Sequence, residues 1–206
     1  VSVREPIVRP IPIESLRPTQ MTVGYREVAE KRRAFEKKDE DKGELFLGRH
    51  MIPVLLGPKD RHYVIDHHHL ALALHEDGVK EILVNVVADL SGLGRQEFWV
   101  FVDNHGWCHP YDEDGRRRDF ADIPTTIDKM KDDPFRSLAG ELRRAGGFAK
   151  DTTPFSEFIW ADFLRRRIKR KAVEADFNRT LGRAMALAKS PEAGHLPGWS
   201  GPSIDN

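Results

Sequence analysis

Apolar positions change their spacing along this chain, and each change marks an element. In "VRPIPIESLRPTQ", Val8, Ile11 and Ile13 stand among prolines and polar residues. That pattern predicts a short strand and then a turn at Arg17–Pro18. "GYREVAEKRRAFEKKDEDKGELF" carries Val28, Ala29, Ala34 and Phe35 as a narrow stripe on a charged helix whose remainder is a solvated face. "MIPVLLGPKDRHYVID" reads as two strands around a Gly-Pro-Lys-Asp turn. "HHHLALALHEDG" predicts a helix with Asp66 at its N-cap, Leu70, Ala73 and Leu74 toward a core, and Gly78 at its stop. "VKEILVNVVADL" is apolar at adjacent positions and predicts a central strand buried on both faces.

The second half is helical in pattern. "SGLGRQEFWVFVDNHG" predicts a helix capped by Ser91, and Asp114–Gly115 marks a turn. Ile127, Met130, Leu138 and Leu142 share one stripe, broken by Pro134 and closed by Gly146–Gly147. Pro154 opens "FSEFIWADFLRRRI", where Phe155, Phe158, Ile159 and Phe163 recur at core-facing helical spacing. Val173, Phe177, Leu181, Met185 and Ala188 continue the period. The predicted fold is α/β (α+β): an α/β core over residues 1–92 with a small mixed sheet, a mainly helical extension over 93–190 packed on it, and a loosely ordered Gly- and Pro-rich tail over 191–206.

Composition narrows the function classes. Thirty-three basic and thirty-three acidic residues cancel, so a globally basic nucleic-acid footprint is absent, although a local patch stays open. No apolar run approaches the roughly 20 residues of a membrane-spanning helix, so no membrane partner is expected. The single cysteine, Cys108, rules out an internal disulfide and fits a reducing compartment, so a cytoplasmic location is expected. Val1 is not an initiating residue, which leaves a removed leader open.

The chemistry concentrates where the strand ending at Ile65 meets the next helix. A helix N-terminus offers unpaired N–H groups and a positive dipole end to an anion. Asp66, His67, His68 and His69 ring that spot. Imidazole can donate to phosphate, carry a proton near neutral pH or ligate a metal, and Asp66 can orient a histidine or hold a divalent cation. Successive helical side chains turn by about 100°, so the three rings cannot share one direction. The plainer reading of the same residues is a capping Asp beside incidental histidines.

"IPIESLRPTQ", the charged helix, "IPVLLGPKDRHYVIDHHHLALAL" and "VKEILVNVVADL" together resemble the ParB/sulfiredoxin fold, and more narrowly the ParB-like nuclease family. The likeness covers about residues 6–90 and, for the narrower family, extends through "DDPFRSLAGELRRAGGF" and "PFSEFIWADFL". In the superfamily this strand-to-helix turn carries a Gly-x-x-Arg type motif that binds nucleotide phosphates. Free-serine kinases are the most similar there, with Asp-Gly-His-His-Arg in place of Asp66-His67-His68-His69-Leu70. The departures are specific. His67 stands at the glycine position, and Leu70 replaces the arginine and its bidentate fork. His68 stands where sulfiredoxin has its cysteine, which excludes sulfinic-acid reduction by that residue. The Gly-Glu-Arg-Arg motif of chromosome-partitioning ParB is absent, which argues against a CTP clamp.

The resemblance implies that the first helix approaches the phosphate site, so Glu27 or Glu30 is a candidate general base, and that Thr19 and Gln20 reach ligand. "DNHGWCHPYDEDG" holds His105 and His109, which with Asp66 could form a composite metal site; Cys108 reads as a buried small residue. Arg165, Arg166, Arg167, Lys169, Arg170 and Lys171 form a basic run that could contact nucleic-acid backbone or be a solvated helix.

The expected function is a nucleotide- or phosphate-binding enzyme of phosphoryl transfer or phosphate-ester hydrolysis, with Asp66, His68 and His69 at its centre. Its partner would be a small phosphorylated ligand or nucleotide, and its cofactor a divalent metal, Mg or a transition metal. A DNA-binding protein or nuclease using the basic run is the alternative, and a non-catalytic ligand-binding module is a third.

Overall fold

The apolar runs at residues 52–57 and 81–89 lie side by side inside a mixed five-stranded sheet. The computed structural model describes residues 8–39 and 51–202. Its strands are β1 (Val8–Pro12), β2 (Arg17–Pro18), β3 (Thr22–Val23), β4 (Ile52–Gly57), β5 (Arg61–Val64), β6 (Glu81–Asp89) and β7 (Lys131–Asp132). Its α-helices are α1 (Tyr25–Asp39), α2 (His68–Glu76), α3 (Arg95–Asn104), α4 (Pro134–Arg144), α5 (Ser156–Arg165), α6 (Arg170–Ala175) and α7 (Phe177–Ala188). The part of the expected charged helix beyond Asp39 and the last four residues of the tail lie outside the described residues. The chain divides into two units: the described parts of Val1–Val23 and Glu27–Lys131 form the first, and those of Gly24–Arg26 and Asp132–Asn206 the second.

In the first unit the sheet order is β1-β6-β4-β5-β2. β6 runs antiparallel to β1 and parallel to β4, β4 pairs antiparallel with β5, and β2 pairs parallel with β5. Arg17–Pro18 is therefore not the expected turn but a strand, with Arg17 opposite Tyr63 and Pro18 opposite Val64. Proline is tolerated there because β2 is an edge. β6 lies inside the sheet as expected but is not buried on both faces. The register skips Val87 between the Val54–Val86 and Leu55–Ala88 pairs, and Val87 is 48% exposed. Ile52, Val54, Val64, Leu70, Leu74, Ile82 and Val84 build one core, and Leu55, Tyr63, Phe98, Trp99 and Val102 build another. Gly94, not Ser91, is the N-cap residue of α3; Ser91 instead donates its hydroxyl to Asp89 Oδ1 at 2.7 Å. This unit runs on to Lys131, beyond the boundary expected at residue 92, because α3 supplies Phe98 and Trp99 to the core around Leu55.

In the second unit Pro134 opens α4 rather than breaking a longer helix. It occupies the first turn, and Asp133 caps it by accepting the Phe135 N–H at 3.0 Å. The stripe read from Ile127 to Leu142 thus splits: Ile127 and Met130 belong to the first unit's core, Leu138 and Leu142 to the second's. Trp160, fully buried and stacked on Phe148 at 4.3 Å, anchors that second core. Ile159, expected inside, is exposed, and Phe155 sits left-handed at the start of α5. The period from Val173 to Ala188 is cut at Asp176, which ends α6 and caps α7. The tail is tied down as far as Ser200: Ala193 and Leu196 are buried, Trp160 Nε1 donates to the Pro197 carbonyl at 2.8 Å, and Lys189 Nζ donates to Ser200 Oγ at 2.7 Å.

Candidate functional site

The corner at residues 65–69 is made by one left-handed residue. Apolar Tyr63 and Val64 carry β5 into the core, and Ile65 N–H donates to the Pro53 carbonyl. His67 then takes φ 64°, ψ 26°, and the helix begins. That conformation is uncommon for a residue with a Cβ and belongs naturally to glycine. His67 itself is the N-cap residue, so Asp66 does not cap the helix; its Oδ1 accepts the His67 N–H at 2.6 Å. The first intrahelical bond runs from Ala71 N–H to the His67 carbonyl, so the amides ahead of it face out of the helix end.

The three imidazoles diverge. His67 and Asp66 are exposed, their side chains 3.9 Å apart. His68 turns into the core, where its Nε2 accepts the Thr19 N–H at 3.2 Å while Thr19 Oγ1 donates to the Val64 carbonyl at 2.7 Å. Burial holds its pKa down to about 3, with a hydrogen bond to the Val64 carbonyl opposing and neighbouring His67 adding to the drop. His68 is therefore neutral at ordinary pH and fixes the corner to the strand edge; it does not face the mouth. His69 points elsewhere: its Nε2 lies 3.7 Å from Glu27 Oε2 on α1, with side chains 9% and 18% exposed. Glu30 stands one turn further along α1, half-buried. Leu70, at the arginine position, is a core residue.

The other expected residues are placed as follows. Thr19 and Gln20 are buried, and Gln20 Nε2 donates to the Thr22 carbonyl at 2.7 Å. His109 donates its backbone N–H to the Thr19 carbonyl at 2.9 Å and stacks its ring on Tyr111. His105 lies against Phe101 at the end of α3, its Nδ1 2.9 Å from the Phe101 carbonyl. Among the described residues no three His, Cys, Asp or Glu side chains gather as metal ligands, so Asp66, His105 and His109 do not fit the composite site. Cys108 is buried, and burial with neighbouring Asp103 pushes its thiol up to about 12, which keeps it from acting as a nucleophile.

In the second unit most of the basic run is neutralised. Arg165 pairs with Asp133, Arg166 with Asp162, Arg167 with Glu192 and Arg170 with Glu174. Lys169 and Lys171 are exposed. The arrangement is a salt-bridged helical surface more than a phosphate-backbone stripe.

Sequence reading named both members of the His69–Glu27 pair without joining them. It missed the Thr19 amide as the partner of His68, because a backbone donor leaves no mark on residue identity.

Residues 9–166 match the model of a family described as "Putative ParB-like nuclease". Among solved structures, the crystal structure of protein Atu1540 from Agrobacterium tumefaciens is similar, with 53% identity, a TM-score of 0.90, and coverage of 98% of this chain and 100% of that one. No curated protein matches the chain.

Proposed function

The chain belongs to the ParB-like nuclease family, and on that footing we propose that it binds a phosphate ester at the Asp66–His69 corner and hydrolyses it, with His69 and Glu27 handling the proton. The observation that carries this reading is the 3.7 Å approach of His69 Nε2 to Glu27 Oε2 beside the N-terminus of α2, whose first-turn amides precede the first intrahelical bond. The outward amides of the first turn and the helix dipole favour phosphate oxygens there. His69 takes the proton from an attacking water whose oxygen bonds to phosphorus. Glu27 stabilises the imidazolium that results, the ester P–O bond breaks, and the proton passes to the leaving oxygen. An imidazole and carboxylate at ion-pair distance in a free site can tighten to a hydrogen bond once substrate is bound.

His67 and Asp66 line the exposed side of the corner and would contact the substrate's outer oxygens. His68 is a positioning residue. Phosphodiesters, DNA among them, are the substrate class that the family supports, and the corner's own amides rather than the ion-paired 165–171 run would meet the scissile group.

The test is turnover of bis(p-nitrophenyl) phosphate, p-nitrophenyl phosphate and a short DNA strand by the intact protein and by His69→Gln and Glu27→Gln. Each variant is expected to lower kcat by about 10²–10⁴-fold with an unchanged unfolding midpoint. Turnover equal in all three proteins, or absent on every phosphate ester offered, would overturn the reading.

A further inference from the structure

The first unit carries a concavity of about 260 Å³, lined by none of the residues assigned to hydrolysis. Its rim holds Arg17, Lys59, Arg61 and Arg95, and its walls include Tyr63 and Trp99. These cations come from the edge strand β2, the β4–β5 turn, β5 and the first turn of α3. Elsewhere in this unit Arg32, Arg117, Arg118 and Lys131 each face a carboxylate. Among the described residues, none of the four cleft cations has such a partner.

Like charges gathered in a concave site repel one another, and low-dielectric walls sharpen the effect. Burial, then the neighbouring Arg61 and Arg95, lower the pKa of Arg17. The backbone adds a second sign of construction. Lys59 and Asp60, the last two residues of the three-residue loop Pro58–Asp60 between β4 and β5, both adopt left-handed conformations, φ 61° and 53°. Left-handed positions ordinarily take Gly or Asn, so the loop holds Lys59 at the rim at a cost in local strain.

The walls indicate what kind of anion fits. Trp99 is stacked on Phe120 at 5.7 Å with 9° between the rings, and Tyr63 meets its edge at 5.6 Å. Tyr63 and Trp99 are buried and already packed, so they floor the cleft rather than offer a free face to a base. The volume lies below the roughly 300–1,000 Å³ of pockets for drug-sized ligands. Recognition here is by concentrated charge in a small space.

We propose that this cleft binds a short chain of linked phosphates, held by Arg17, Lys59, Arg61 and Arg95, as a site distinct from the hydrolytic corner. Free polyphosphate and the phosphate tail of a nucleotide share that chemistry.

Isothermal titration at low salt, on the full chain, with tripolyphosphate, a nucleoside triphosphate and a single-stranded oligonucleotide tests it. Tripolyphosphate should bind, and the exposed-site variants Arg61→Gln and Arg95→Gln should each weaken it by about tenfold or more. His69→Gln should leave this affinity as it is even where it abolishes hydrolysis, which separates the two sites. A nucleotide that binds tighter than tripolyphosphate, with the same arginine dependence, identifies a nucleotide tail as the source; equal affinities identify the bare phosphate chain. Absence of tripolyphosphate binding, binding indifferent to both arginines, binding lost in His69→Gln, or binding of the oligonucleotide alone would overturn the proposal.

Discussion

The Nε2 of His68 accepts the backbone N–H of Thr19 at 3.2 Å, joining the first turn of α2 to the residue that follows β2. Both groups are buried, so the bond satisfies a donor that water cannot reach. Replacing His68 with Phe leaves that donor orphaned and should lower stability by about 1–3 kcal/mol in urea unfolding.

The burial of the same ring sets a pH dependence. Unfolded, His68 takes up a proton near its ordinary pKa of 6.5; folded, it stays neutral down to about 3. Between those values the unfolded chain binds more protons, so stability rises with pH across the window. The contribution is complete above about pH 6.5 and is lost on acidification, by at most about 1.4 kcal/mol per pH unit. Urea midpoints from pH 7 to 4.5 should fall more steeply for the wild type than for His68→Gln, whose side-chain oxygen can accept the Thr19 N–H without titrating. Parallel slopes would refute this assignment.

His67 holds a left-handed backbone that a Cβ disfavours. His67→Gly should therefore raise stability by about 0.5–1 kcal/mol despite glycine's entropy in the unfolded chain, and His67→Val should lower it by about 1–2 kcal/mol. Opposite shifts in the two unfolding midpoints are the expected result; losses in both would show that the imidazole stabilises the corner more than the backbone strains it.

If Glu27 acts through His69, their effects on turnover are not independent. The double variant Glu27→Gln/His69→Gln should retain about the same residual kcat as His69→Gln alone. Losses that multiply would assign Glu27 a separate role.

Asp133 is 1% exposed, caps α4 and receives the Arg165 guanidinium at 2.7 Å. Asp133→Ala takes the nearest carboxylate from the nearly buried Arg165, which keeps Asp162 at 3.9 Å, and removes a cap together, and should cost about 2–4 kcal/mol. Asp133→Asn keeps an acceptor for the Phe135 N–H and should cost less. Chemical unfolding of the two variants ranks them, and equal losses would place the whole effect in the missing charge.

Legibility in the sequence followed local spacing. The Gly-Pro-Lys-Asp break between apolar runs revealed the β4–β5 hairpin, and Leu70, Ala73 and Leu74 revealed the buried face of α2. Spacing could not show that Ile127 and Leu138 serve different cores, since one period runs through both. Trp160 was passed over because the aromatic stripe at 155, 158 and 163 fits helical spacing without it. His67 reads as the start of a helix, and nothing in its identity announces a left-handed turn. At the corner, the Asp-His-His-His run was visible but the three ring directions were not. The cations of the cleft are dispersed from position 17 to position 95, and only the fold gathers them.

The tripeptide Gly24–Arg26 belongs to the second unit although the chain on either side of it belongs to the first. Tyr25 N–H donates to Asp132 Oδ1, Arg26 lies over the Phe177 ring at 3.8 Å, and Gly24 sits so near the Ser137 backbone that a methyl group would collide. A gene cut between codons 131 and 132 would thus sever three residues from the piece they complete. The second half expressed alone would lack those three residues, so deletion mapping by simple truncation would misassign whatever activity it destroyed.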